Sequence, residues 1–350
     1  MNILLNKQKN TVKKVFFILL TVVISFVLIS MLTSVIVFSL LFGRIDVSLN
    51  VASLSYSSID EEKYPRNIVR FNSDGNELCG YIYGLDNSQK CGVVIVGNGI
   101  GSDADSHLPE IMYFVDHNWC VFTFDSTGVF NSSGDGIKGL SQSKIDMISA
   151  IEYVKNDSDL LDLPIVLYGH SVGGYAAAAS LEKETDISAA VCISGFDSPT
   201  QMMKYKAKRY VGILADIEYP FMCLHNWFVF GEDSDTSAIN AINSTDIPVM
   251  LVEGSEDSIV PDKISIGSHY EEITNPNAMY KQIKTPYRNR HSTIWLCDDS
   301  AKYKTEIENN MSRETDDSEN IDILKANEID IDFMDDILAF YNNSVKLSND

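Results

Sequence analysis

The chain has 350 residues, 45% of them hydrophobic, and a formal net charge of −22. That length can bury one large core or two modest ones. So acidic a surface argues against nucleic acid as a partner, because phosphate binding needs cations. The charge is uneven: residues 1–44 hold Lys7, Lys9, Lys13, Lys14 and Arg44 and no acid, which leaves −27 on the remainder.

Val15 to Phe42 is an uncharged apolar run of 28 residues. It exceeds the roughly 20 residues that cross a bilayer and the roughly 7–15 of a cleavable signal core. Four lysines precede it, so the positive-inside rule puts residues 1–14 in the cytoplasm, 15–42 across the membrane as a retained signal anchor, and the rest outside. Val51-Ala52-Ser53 offers a cleaved-signal alternative, although it lies far beyond the apolar run. Residues 43–66 read as a spacer, because Asn50 to Pro65 is polar, serine-rich and aperiodic.

From residue 67 the pattern becomes that of a folded domain, expected to run to about 345. Asn67–Phe71 and Glu77–Tyr83 are expected strands joined at Asp74-Gly75-Asn76, a hairpin signal. Cys91–Val96 is a continuous apolar run, as a buried parallel strand should be. Helices are predicted near Ala104–Asp116 and Ser143–Lys155, and strands at Trp119–Phe124, Ala189–Ile193, Pro248–Glu253 and Met279–Ile283. The alternation predicts βαβ units, hence a mostly parallel sheet flanked by helices. Thr305 to Glu319 reads as a solvated acidic insertion, and Glu328–Tyr341 as an amphipathic helix.

Pro164 to Ser180, PIVLYGHSVGGYAAAAS, carries the chemistry. A short apolar strand leads into Gly169-His170-Ser171-Val172-Gly173, and an alanine-rich helix follows. A serine at the apex of a sharp strand-to-helix turn is held strained, with its hydroxyl clear of the chain. Glycines at 169 and 173 let neighbouring backbone pass close by. The helix N-terminus aims amides at the space where an anionic intermediate would form. The same pattern could instead be a glycine-rich turn whose serine only caps the helix.

These motifs, in this order, resemble the α/β-hydrolase superfamily over roughly Ile68 to Tyr341. Gly97-Asn98-Gly99-Ile100-Gly101 is similar to the family's oxyanion loop, with Asn98 where histidine is usual. Asp125-Ser126-Thr127-Gly128 with Ser133-Gly134 is similar to its D-x-x-G…S-x-G loop, and Gly254-Ser255-Glu256-Asp257 to the strand-end loop that supplies the acid. Glu253, before Gly254, departs from the commoner pattern and puts a carboxylate near the acid to which the resemblance assigns no role. The resemblance implies a Ser171–Asp257–His291 triad, in the family's chain order. It also implies an oxyanion hole from the backbone amides of Ile100 and Val172, beside the elbow glycines Gly169 and Gly173. Asp262 competes with Asp257 but follows Pro261, at the start of an expected helix that also holds His269. His107, His117, His170 and His225 read as surface or core residues, and Asp125 as a tie within its own turn.

Residues 197–246 are expected to form a helical cap, where Tyr205, Tyr210, Tyr219, Phe221, Trp227, Phe228 and Phe230 either wall an acyl site or glue the cap to the sheet. The six cysteines show no metal-binding spacing, and no metal or cofactor is implied. The expectation is a membrane-anchored extracellular serine hydrolase with a small-molecule ester substrate. A peptidase or amidase of the same fold, or an inactive binding ectodomain, stands as the alternative. The oligomeric state is not specified.

Overall fold

The computed structural model describes residues 2–47, 52–311 and 321–348. Its centre is an eight-stranded sheet. The hairpin comes first: β1 (Arg66–Ser73) and β2 (Asn76–Tyr83) pair antiparallel across Asp74 and Gly75, with φ of 46° and 78°. Both turn residues are left-handed, the geometry whose twist matches that of the flanking strands. β3 (Val93–Gly97), β4 (Cys120–Phe124), β5 (Ile165–His170), β6 (Ile187–Ile193), β7 (Val249–Gly254) and β8 (Ala278–Ile283) follow. The spatial order is β1-β2-β4-β3-β5-β6-β7-β8, with every pair from β4 to β8 parallel.

The central strands are apolar on both faces because helices cover both. Val93 and Ile95 face α3 (Gln142–Asn156), α4 (Val172–Ser180) and α7 (Ala238–Asn243). Val94 and Val96 face α2 (Leu108–Asp116) and α9 (Ile331–Ser348). The Tyr341 hydroxyl of α9 donates to Leu167 O of β5 at 2.7 Å. The predicted strands and helices of the sheet lie where the patterning puts them, with ends shifted by a few residues.

The cap departs from its expected bounds. Between β6 and β7 the chain forms α5 (Pro199–Val211) and α6 (Leu214–Phe230), turning at Gly212 with φ 58°. α7 returns to the body and packs on α4. The cap therefore ends near Asp235, short of 246, because Ala238, Ile239 and Ile242 of α7 join the sheet core.

Two connecting stretches also differ from expectation. α8 (Asp298–Met311) covers the first part of the acidic segment and buries Thr305 and Ile307, while residues 312–320 lie outside the described residues. The expected spacer is tied to the domain at both of its described ends. Ile137 N donates to Phe42 O at 2.8 Å, and Arg44 Nη1 donates to Ser132 O and Gly134 O at 2.9 and 3.1 Å. Beyond it, Leu54 and Tyr64 are buried and Asn327 donates to Ala52 O at 2.6 Å. Serine content made the stretch read as polar, yet its few apolar residues find partners.

The chain opens with α1 (Asn2–Leu41). By length and composition, the 33 residues Lys9–Leu41 are long and apolar enough to cross a membrane.

Candidate active site

β5 ends at the centre of the sheet and the chain reverses into α4 at Ser171, whose φ of 58° and ψ of −115° lie outside the regions open to most residues. Such a conformation costs about 1–3 kcal/mol and persists only where the surroundings over-determine it. They do so here. Ser171 N donates to Ile193 O at 2.8 Å, and a Cβ on Gly173 would lie 2.0 Å from Gly97 O. A Cβ on Gly169 would meet Gly173 O at 2.1 Å. The turn can be this tight only with glycine at both places.

The loops at the ends of β7 and β8 bring two more residues to it. Ser171 Oγ lies 2.9 Å from His291 Nε2, and His291 Nδ1 lies 2.7 Å from Asp257 Oδ2. With Nδ1 donating to the carboxylate, Nε2 is the acceptor that faces the serine hydroxyl. Burial alone would raise the Asp257 carboxyl. The His291 hydrogen bond and the amides of Val260 and Ile259, at 2.9 and 2.8 Å, outweigh it and hold the group below the ordinary carboxylate value. Asp262 stays outside this chain of bonds and meets Ser268 instead, while His269 donates to Ser265 O.

Ile100 and Val172 both border a narrow cavity beside Ser171, lined also by Val129, Ile137, Gly139 and Leu140. Its volume of about 20 Å³ is room for roughly one water molecule. A Cβ on Gly99 would lie 3.7 Å from Ser171 Cβ, so the loop after β3 lies against the serine. Asn98 holds that loop, donating to Phe124 O at 3.1 Å. Asp125 accepts from Ala104 N and Asn131 N at 2.9 and 3.2 Å and from the Tyr81 hydroxyl, which makes it a tie between loops.

Two residues acquire roles that sequence reasoning did not give them. Glu253 accepts from Gly267 N at 2.7 Å and from Ser268 Oγ at 3.2 Å, and so fastens the loop after Asp257 to the end of β7. His170 read as surface or core, and it is buried directly against His291. Its Nε2 donates to His291 O at 2.8 Å and its ring lies 4.8 Å from the His291 ring. Burial, with the neighbouring His291 and His107, pushes its pKa well below the usual value, so it stays neutral. The signal was available in the motif. Side chains alternate along a strand, so the residue before the elbow serine points away from it, towards the next loop.

The fold has counterparts among known structures. The Pyrococcus furiosus esterase Pf2001 superposes with a TM-score of 0.54 at 17% identity, covering 77% of this chain and 96% of that one. Acetyl xylan esterase 1 from a Thermoanaerobacterium species gives 0.50 at 13% identity, covering 71% and 90%. The chain has the α/β-hydrolase fold. Residues 88–223 match the Hydrolase_4 family profile, described as serine aminopeptidase, S33. That match includes the loop after β3 and the elbow and stops inside the cap, before Asp257 and His291. A curated relative, the uncharacterized protein YfhR of Escherichia coli O157:H7, is 27% identical over 172 residues, 48% of this chain. The chain spans about half the length of that relative, 53% of it. Fold and profile together support a serine-hydrolase enzyme.

Proposed function

We propose that the protein hydrolyses carboxylic esters through an acyl-enzyme on Ser171, with His291 as base and Asp257 as its orienting acid. The observation that carries this reading is the unbroken chain of hydrogen bonds from Ser171 through His291 to Asp257 at a strained elbow. As Ser171 Oγ attacks the ester carbonyl carbon, its proton passes to His291 Nε2. The Asp257 carboxylate stabilises the imidazolium that results. The carbonyl oxygen becomes an oxyanion facing the amides of Ile100 and Val172, where one such donor is worth roughly 3–4 kcal/mol. Collapse breaks the bond to the alkoxide, which leaves with the proton from His291. Water then attacks the acyl-serine, giving its proton to His291, and the carboxylic acid departs as Ser171 recovers its hydrogen.

The esterase reading draws on the neighbours of similar fold that are esterases by name. The family profile, named for a serine aminopeptidase, favours peptide hydrolysis as the second reading. The narrow cavity between Ile100, Leu140 and Val172 favours a short acyl group. Residues 15–42 are proposed as a single-pass anchor, with the N-terminus in the cytoplasm and the body outside. An active-site fluorophosphonate should label the wild-type chain and not Ser171→Ala, and acetyl esters should turn over faster than peptide amides. Equal labelling of both proteins would sink the serine assignment. Protease added to intact cells should remove the body, and protection of the body until lysis would reverse the orientation.

A further inference from the structure

We infer that the cap of this protein lies on the bilayer beside α1, so that the site draws its ester from the membrane: an acetyl or similarly short acyl group on a long-chain alcohol. The inference rests on the proposed anchor and extends it from a tether to a docking surface.

α6 has two unlike faces. Ala215, Met222, Asn226 and Phe230 are buried, and the inner end touches the wall of the cavity beside Ser171. Asn226 Nδ2 donates to Ser141 Oγ at 3.0 Å, and a Cβ on Gly139 would meet the Phe230 ring at 3.0 Å. The outer face and the turn before it leave large apolar side chains bare: Tyr210 at 84% exposure, Ile213 at 76%, Phe228 at 66%, and Leu214 and Trp227 above half. A protein surface in water rarely keeps so many together.

The neighbour of that face identifies what covers it. A stripe of every fourth residue is buried, Ser30, Ser34 and Phe38 in α1 and Phe42 just after it. α6 packs beside it, with the Phe26 and Phe221 rings 5.8 Å apart and the Phe38 and His225 rings 4.4 Å apart. Ser30 Oγ donates to Glu218 at 3.0 Å across the contact, a polar tie of the kind that joins helices within lipid. The 28 uncharged residues 15–42 span about 42 Å, against about 30 Å of hydrocarbon. The surplus allows the outer turns of α1 to stand level with the headgroups while α6 stays in contact with them. An interfacial helix seated there buries its apolar face by about 5–10 Å. α5, next to it, carries Lys204, Lys206, Lys208 and Arg209 and no acid, in a body otherwise strongly acidic. Asp216 pairs with Lys204 and Lys208, and the exposed Arg209 adds positive charge on the same helix, as an interfacial segment would have it.

The height of the site is fixed as well. Arg44 and the backbone of Phe42 and Ile45 are bonded to the loop from Gly128 to Ile137, which lines the cavity beside Ser171. The anchor therefore enters the wall of the site without a flexible tether. With the narrow space beside Ser171 admitting only a short acyl group, the alcohol tail is left to lie under the cap and into the bilayer.

The full chain in phosphatidylcholine vesicles provides the test. Trp119 and Trp295 are buried, so the tryptophan emission that differs between wild type and Trp227→Phe reports the cap. Lipid brominated on the upper acyl chain should extinguish most of that difference. In the double variant Ile213→Asp, Leu214→Asp, hydrolysis of hexadecyl acetate in the vesicles, relative to p-nitrophenyl acetate in the water, should fall roughly tenfold, the worth of one buried apolar side chain. A chain that fails to float with the vesicles overturns the anchor and the docking together. If the chain floats but bromolipid leaves Trp227 unquenched, the docking alone is overturned, and a second copy covering the face would then appear as a cross-linked dimer through Phe228→Cys. Quenching with an unchanged ratio of the two acetates overturns the membrane-resident substrate.

Discussion

α4 and α6 are both apolar helices of this chain, and they live in opposite surroundings. All nine residues of α4 are buried, wedged between the sheet, α3 and α7. α6 is almost twice as long and buries four of its seventeen. A helix that is apolar all round has two stable settings, the interior of a protein or lipid. α4 takes the first setting, and its alanines let strands and helix approach closely enough to hold Ser171 in a strained conformation. α6 has one narrow face on the site wall and leaves a broad one bare. The elbow is thus a place where small displacements are costly, and the outer cap a place where the protein itself supplies little restraint.

The comparison predicts where substitutions hurt. The largest effects belong to the elbow and its partners. Ser171→Ala should cost about six orders of magnitude in kcat, and adding His291→Ala should cost little more, because residues acting as a unit are not additive. Asp257→Asn should lose about four orders, since the amide lets His291 take the other tautomer. Rates on p-nitrophenyl acetate provide both numbers, and activity in Ser171→Ala close to wild type would end the reading. Gly173→Ala comes next. Its Cβ would sit 2.0 Å from Gly97 O, a backbone atom that cannot swing aside. The expected result is a destabilisation beyond the roughly 1–3 kcal/mol of ordinary overpacking, read from urea midpoints, together with loss of fluorophosphonate labelling.

The same contrast explains what could be read from sequence. The sheet was legible because its strands are short apolar runs between turn residues, and the elbow because its glycines are forced by backbone contacts. Ser171, His291 and Asp257 were placed from motif order, and the structure brings those three side chains together. Ile100 and Val172 border the cavity beside them. The cap was legible only as an aromatic-rich insertion. No periodicity separates Phe230, which turns inward, from Trp227 and Phe228, which turn out, because large apolar residues fall on every side of α6. Its end was misplaced because Ala238 to Ile242 is as apolar as the cap and joins the core. The spacer failed for a related reason. Arg44 bonds to carbonyls of a loop some ninety residues away, and no local pattern encodes such a partner.

Acidity should divide the carboxylates in the same way. Burial raises Asp125 and Asp146, so between the ordinary carboxylate value of 3.8 and their higher folded values the native chain holds protons that the unfolded chain has released. Stability from these two groups therefore falls as pH rises through that window and is level above it. Asp257, depressed in the fold, has the opposite sign: its contribution is present above 3.8 and is lost as pH falls through its lower folded value. Urea midpoints followed upward from about pH 4 should show a shallower decline in Asp125→Asn than in wild type. An identical slope would mean that Asp125 titrates normally in the fold.

The smallest effects should come from the outer face of α6, and two residues of that helix test it directly. Phe230 is buried against the wall of the site, so Phe230→Ala should cost about 3 kcal/mol through the lost transfer energy and the cavity left behind. Trp227 is the larger side chain, and by volume alone it should matter more. It is 54% exposed, however, and its one described aromatic contact is the Phe228 ring at 5.4 Å. In detergent micelles Trp227→Ala should therefore change stability by no more than about 0.5 kcal/mol, the range of ordinary surface positions. Thermal unfolding of the two variants side by side gives the ratio. A Trp227→Ala protein as unstable as Phe230→Ala would mean that the outer face is glued to protein, and the distinction between the two helices would fall with it.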